Sequence, residues 1–296
     1  MLVERLTCAV CGATHSTTLL DHTFCDPPVW EFLESYYAGR VEPEMLTGGR
    51  FTVSQCRVCG FIWQRYILDD AGMTALYEHW IDPRESLNKK VHANARLFLD
   101  YAHQMRLIAA LFPDKAPDSI RVLDFGMGWG YWCQAAQAFG YQVVGQEFSQ
   151  ARRDYARVHG VPVVCSLAEL TGQSFDVINA EQVFEHIPQP LATLEALAAL
   201  LAPGGVIRIA VPNGSDIVRK LRATNWQASK DALHPLEHIN CFTARTLATL
   251  GRRASLRRLR LPLRPGYAGL RPNATRMLRA VPGLLQRGLI IYLRQV

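Results

Sequence analysis

Short apolar runs of strand type alternate with helix-permissive stretches through the middle of this 296-residue chain. Ile120–Leu123 leads into a glycine-rich turn, and Tyr131–Phe139 follows as a helix. Val143-Val144, Val161–Val164, Phe175–Ala180 and Val206–Val211 repeat the strand pattern further on. Upstream, residues 67–112 carry apolar residues at mixed spacings of three and four and read as helices, punctuated by Pro83 and Pro113. Downstream, Thr243 opens a helix that runs to about Leu250, and Leu256–Leu261 alternates as a final strand. Asn273 to Gln295 mixes Arg with Met277, Leu278, Leu284, Ile290 and Leu293. That mixture suits a solvated, Arg-rich helix packed on the acidic body or an interfacial helix on anionic lipid, interrupted at Pro282-Gly283.

Composition narrows the class. Apolar residues make up 49% and charged residues 20%, enough for a packed core and against global disorder. No run reaches the roughly 18 apolar residues of a membrane span, and the opening MLVERLTCAV has no apolar leader, so a cytoplasmic protein is expected. The formal charge of +6 is unevenly placed: residues 1–237 hold 20 basic and 26 acidic side chains, and the last 59 hold 12 Arg and no acid. A uniformly basic nucleic-acid binder is excluded. The Arg-rich C-terminus is instead a candidate for peripheral contact with an anionic membrane or an acidic partner.

Four of the eight cysteines form two C-x-x-C pairs, each followed by glycine: Cys8, Cys11 with Gly12, and Cys56, Cys59 with Gly60. In a reducing compartment this spacing favours metal over disulfide. A tetrahedral zinc ion takes four thiolates, and a full set of four argues for structure, not chemistry. The 44 residues between the pairs must form structure of their own, giving a zinc-ribbon-like domain over 1–66. His15, His22 and Cys25 lie between the pairs and read as ordinary surface or core residues.

The strongest chemical signal is Asp124-Phe125-Gly126-Met127-Gly128-Trp129-Gly130. Alternate glycines let the backbone turn sharply and approach a ligand. Glu147 ends the next strand, 23 residues after Asp124, where nucleotide-binding α/β folds place an acid for ribose hydroxyls. An acid two residues before the first glycine suits a cationic amino-acid group better than a diphosphate.

With these motifs the chain resembles a class I S-adenosylmethionine-dependent methyltransferase. Further landmarks follow in order: Phe175–Glu181 as the fourth strand, Glu185-His186-Ile187-Pro188, and Pro203-Gly204-Gly205 before a fifth strand. The resemblance implies a Rossmann-like, seven-stranded, mostly parallel sheet over residues 113–262. It also implies S-adenosylmethionine held by Asp124, Gly126, Gly128, Gly130, Glu147, Phe148, Ser166, Leu167, Asn179 and Glu181. Residues 67–112 then form a connector or lid, with Tyr77, His79 and Trp80 toward the substrate or packed between domains, and 263–296 a basic C-terminal segment.

The pairing of this core with four cysteines is similar to bacterial deoxysugar C-methyltransferases, whose zinc ligands match Cys8, Cys11, Cys56 and Cys59. Their active-site pair resembles Glu237-His238. The expected activity is methyl transfer to a small molecule, a sugar nucleotide, glycan or natural-product precursor, at carbon or oxygen. Deprotonation of the acceptor falls to His238 or His186. Two other readings stand beside it: a nucleic-acid-directed methyltransferase using the ribbon and the Arg-rich end, and a non-catalytic cofactor-binding protein.

Overall fold

The computed structural model of the protein describes residues 2–259 and 288–296. The N-terminal part holds strands β1 (Leu2–Glu4), β2 (Ser16–Thr23), β3 (Arg50–Cys56), β4 (Ile62–Gln64) and β5 (Tyr66–Leu68). Helices α1 (Val29–Tyr36) and α2 (Pro43–Leu46) fill the interval between the cysteine pairs. The connector is helical as expected. Asp69 caps α3 (Asp70–Ala75), Asp82 with Pro83 opens α4 (Pro83–Val91), and Asn94 caps α5 (Ala95–Leu111).

A seven-stranded sheet forms the main body. Its strands are β6 (Arg121–Phe125), β7 (Gln142–Gln146), β8 (Val163–Val164), β9 (Phe175–Glu181), β10 (Leu201–Pro212), β12 (Leu256–Arg258) and β13 (Gly288–Gln295), in the order β12-β13-β10-β9-β6-β7-β8. Helices α6 (Tyr131–Ala138), α7 (Gln150–Val158), α8 (Pro190–Ala199), α9 (Ile217–Leu221) and α10 (Ala244–Arg253) complete this part. The neighbours from β10 to β8 pair in parallel, and β13 runs antiparallel between β10 and β12. Residues on these central strands are buried almost throughout, so their sequences are mostly apolar, with Asp176, Asn179 and Arg208 as buried polar exceptions. The Rossmann-like, mostly parallel sheet is therefore the one expected.

Two expectations for the C-terminus change. Residues 288–295 form no interfacial helix: Ile291 and Leu293 are buried in the sheet as β13, with Ile209 paired to Ile291 and Ile207 to Leu293. Burial alternates along the strand at Ile291 and Leu293, and pairing with β10 and β12 overrode the amphipathic-helix reading. The strand at 256–258 is consequently not the last one, and the rest of the 273–295 segment lies outside the described residues, as do 260–287.

The N-terminal part does not stand apart. The short strand β11 (Asn240–Cys241) leaves the main body to pair with β4, giving a four-stranded sheet β11-β4-β3-β2. Phe61 meets Phe242 at 5.1 Å between ring centroids. Cys8, Val10, Phe61 and Trp63 share one buried cluster with Leu247, Leu250 and Ile209.

Candidate active site

Three acids stand at the carboxyl ends of adjacent parallel strands, the edge where ligands bind in open α/β sheets. Asp124 on β6 is 3% exposed and accepts from Asn179 Nδ2 at 2.7 Å and Cys133 Sγ at 3.5 Å. Asn179 and Glu181, on β9, are joined by Arg208 of β10, whose Nη1 donates to Asn179 Oδ1 at 2.7 Å and Glu181 Oε2 at 3.0 Å. Burial, with the Glu181 charge nearby, pushes the Asp124 carboxyl up to about 7 against the Asn179 hydrogen bond. Glu147, after β7, accepts from the backbone N–H groups of Gly128 and Ser149, both at 3.0 Å.

Gly126, Gly128 and Gly130 all have positive φ, of 68°, 58° and 77°. At Gly126 a side chain is doubly barred, because a Cβ there would lie 2.6 Å from Val183 Cγ2. Trp129 in the same loop donates to Ser86 Oγ of α4 at 3.2 Å, so the helical connector does lie against this loop. Ser166 caps the short turn Leu167–Leu170 through a reciprocal pair with Glu169, and Leu167 packs on the sheet cluster. Phe148 is 74% exposed at the same edge.

The second half of the site is a histidine cluster. The His186 and His238 rings lie 4.9 Å apart at 80°, and His234 meets His238 at 5.3 Å, edge to face. His238 Nδ1 faces the carbonyl of Asp231, which can only accept, so Nδ1 carries the proton and Nε2 keeps its lone pair. Burial lowers the His238 pKa; it lowers that of His186 to about 3, aided by His238. Both rings are neutral at physiological pH, the state a general base requires.

Glu237 accepts from the Tyr37 hydroxyl at 2.7 Å, while burial raises its pKa. Glu185 is pushed up to about 8 by burial, and neither carboxyl oxygen has a partner. A cavity of about 290 Å³ opens beside this cluster, lined in part by Lys220, Trp226, Gln227 and Asp231. Of the connector residues expected to face the substrate or pack between domains, Trp80 is fully buried beside Tyr37, in line with packing, and His79 is exposed.

The four thiols of Cys8, Cys11, Cys56 and Cys59 converge within 4.8 Å of one another. Cys8 Sγ and Cys59 Sγ are 3.6 Å apart, and Cys11 Sγ and Cys56 Sγ 3.5 Å. Zinc–sulfur bonds of about 2.3 Å in a tetrahedron put sulfurs roughly 3.8 Å apart, so the donor set fits zinc. The two loops are built alike: Gly12 N–H donates to Cys8 O and Gly60 N–H to Cys56 O, each glycine at positive φ. Burial raises the Cys8 and Cys59 thiols above their ordinary range, whereas at Cys56 backbone N–H groups and the Cys11 thiol outweigh burial and lower the thiol to about 7. His15, His22 and Cys25 take no part; His22 stacks on Trp226.

Comparison with known proteins gives the family. A family model described as a methyltransferase domain matches residues 93–260. The chain belongs to the methyltransferase family. A ubiquinone biosynthesis O-methyltransferase of Bordetella pertussis is 34% identical to this methyltransferase over 143 residues, 45% of this chain and 55% of that protein. The protein of the same description from Xanthomonas campestris pv. campestris (strain B100) is 29% identical over 184 residues, 55% of this chain and 73% of that one. The chain thus spans about half the length of the Bordetella relative. Among solved structures, the plantazolicin methyltransferase BpumL in complex with a pentazolic desmethylPZN analog and SAH has the same fold. It matches with a TM-score of 0.51 at 17% identity, over 75% of this methyltransferase and 94% of that chain.

Several site residues carry no motif and escape a reading of the sequence alone. Arg208 had a signal, a lone charge in the apolar run Val206–Val211, which calls for a buried partner. Tyr37 had none, because its partner Glu237 lies 200 residues away.

Proposed function

We propose that the chain transfers a methyl group from S-adenosylmethionine to a small-molecule acceptor. The observation that carries this reading is the convergence of Asp124, Glu147 and Glu181 at one sheet edge around three positive-φ glycines, together with a pair of neutral histidines, buried His238 and half-buried His186. When bound, the cofactor supplies an electrophilic methyl on a sulfonium. Asp124, backed by Asn179 and Arg208, is suited to hold its ammonium group. Glu147 is suited to its ribose hydroxyls, and Ser166 and Leu167 border the adenine, with Phe148 and the glycines closing the pocket.

On the other side, His238 Nε2 takes the acceptor's proton, with His186 beside it and Glu237 as a fixed negative neighbour. Transfer is otherwise a matter of proximity and in-line orientation. A neutral imidazole suits a hydroxyl acceptor. The similarity to O-methyltransferases supports oxygen over carbon, with a sugar nucleotide, glycan precursor or phenolic natural product as the substrate class. Cys8, Cys11, Cys56 and Cys59 hold a structural zinc in a domain over 1–66, followed by the connector at 67–112 and the methyltransferase core from 113. The core includes β13, so residues 288–295 of the basic 263–296 segment belong to it. The charge of the C-terminal arginines suits contact with an anionic membrane or acidic partner, in a protein we place in the cytoplasm. No helix among the described residues is long and apolar enough to cross a membrane.

The test is methyl transfer from radiolabelled S-adenosylmethionine to a panel of sugar nucleotides and phenols. Label in at least one class, lost in His238→Ala, is expected. No transfer to any of them, with label on added RNA instead, would favour the nucleic-acid reading.

A further inference from the structure

This inference deepens the reading above and rests on it. Glu237 and His238 sit on a segment, 234–241, that is fastened mainly by residues of the N-terminal part. Gln64, fully buried, donates through Nε2 to the carbonyls of His234 and His238 at 2.6 and 3.0 Å. Arg5 forks onto the carbonyls of Gln64 and Ile239, at 2.9 and 2.7 Å through Nη2, and onto Asn240 Oδ1 at 2.9 Å through Nη1. Asn240 in turn donates to the carbonyls of Phe184 and Ile187, at 2.9 and 2.6 Å, on either side of His186. One side chain reaches the reactive groups themselves. Tyr37, just after α1, places its hydroxyl 2.7 Å from Glu237 Oε1. Its ring is 1% exposed and held edge-on by Tyr36 at 4.9 Å and by Trp80 at 6.4 Å, so the hydroxyl has little freedom to leave.

We propose that Tyr37 is a positioning residue for Glu237, and that through it the four-cysteine part of the chain completes the acceptor side of the active site.

The chemistry is direct. A phenol that donates to a carboxylate favours the ionised form and fixes its orientation. The other titratable or charged groups around Glu237 are His234, with Nδ1 at 3.8 Å, then Lys230, Arg152, Tyr77 and the ring of His186. None of these donates the short bond that Tyr37 makes. Cys8 lies three residues from Arg5 and Cys59 five from Gln64, so the metal knuckles anchor the same clasp.

The test uses the full chain labelled with carboxyl-13C glutamate, with the Glu237 signal assigned by its loss in Glu237→Gln. Tyr37→Phe removes only the hydroxyl. The Glu237 titration should move up by about one pH unit, a roughly tenfold change in its ionisation constant. Affinity for S-adenosylmethionine, measured by calorimetry on the same samples, should stay within about twofold, because Tyr37 touches no proposed cofactor group. An unmoved Glu237 titration overturns the proposal. Should Tyr37→Phe fail to fold, ζ-13C tyrosine in Glu237→Gln replaces it: the Tyr37 signal must shift, and an unchanged signal overturns the proposal equally. Failure of the wild-type chain to bind S-adenosylmethionine would instead remove the methyltransferase reading, whatever the titration shows.

Discussion

The two halves of the site are built on opposite plans. On the cofactor side, Asp124, Asn179, Glu181 and Arg208 bond to one another across three neighbouring strands of a single sheet. On the acceptor side, Tyr37, Glu185, His186, His234 and Glu237 come from three distant stretches of chain, and both Glu185 oxygens, both His234 nitrogens and His186 Nδ1 lack a hydrogen-bond partner within the protein, against Arg208 Nε among the four cofactor-side residues. A buried polar group without a partner costs roughly 1–3 kcal/mol. The cofactor half is thus organised by its own sheet, whereas the acceptor half depends on the N-terminal part to hold it together.

Removing the metal should separate the halves most clearly. We expect one zinc per chain by elemental analysis. Chelation should lower the melting temperature by on the order of 10 °C or more and reduce acceptor turnover further than cofactor affinity. A metal content near zero would contradict the four-thiolate site. Next in size, His238→Ala should slow transfer by about 10²- to 10⁴-fold while leaving cofactor binding within about twofold. A similar loss in His186→Ala but not in His238→Ala would exchange the roles of the two rings.

Asp124→Asn should act on the other half alone, weakening S-adenosylmethionine by about 10- to 100-fold, the worth of a charge-assisted hydrogen bond. Thermal stability in the absence of cofactor should not fall, since the change removes a buried charge. Gly126→Ala should cost about 1–3 kcal/mol through positive φ and the Val183 contact, read as a lower denaturation midpoint.

The smallest effect is in pH. Asp124 and Glu185 titrate above the ordinary carboxylate range, at about 7 and about 8. The stability they contribute is present below that ordinary range and is lost as pH rises through their folded values. His186 and His238, held neutral, act oppositely only below their ordinary value of about 6.5. Between pH 6.5 and 8.5 the cofactor-free melting temperature should therefore fall, and Asp124→Asn should flatten the slope.

The same contrast explains what the sequence discloses. Asp124, the glycines and Glu147 are legible because the loop and the strand ends that make the pocket are local, and their backbone demands are written into residue type. The cysteine pairs are legible for the same reason. Residues 288–295 were misread because β13 is defined by pairing with β10 and β12, the first of them about 80 residues away, and a short Arg-bearing apolar stretch does not reveal that partner. The Tyr37–Glu237 bond spans 200 residues and leaves no spacing to read. Likewise β11, two residues long, is a strand only because β4 lies beside it.

The central claim is that the glycine loop and its three acids form an S-adenosylmethionine site. Titration calorimetry of S-adenosylmethionine into the purified wild-type chain and into Asp124→Asn tests it most directly. The account predicts saturable binding at one site per wild-type chain, weakened by about tenfold or more in the variant. No saturable heat with the wild-type chain, or equal affinity in the two proteins, would contradict it.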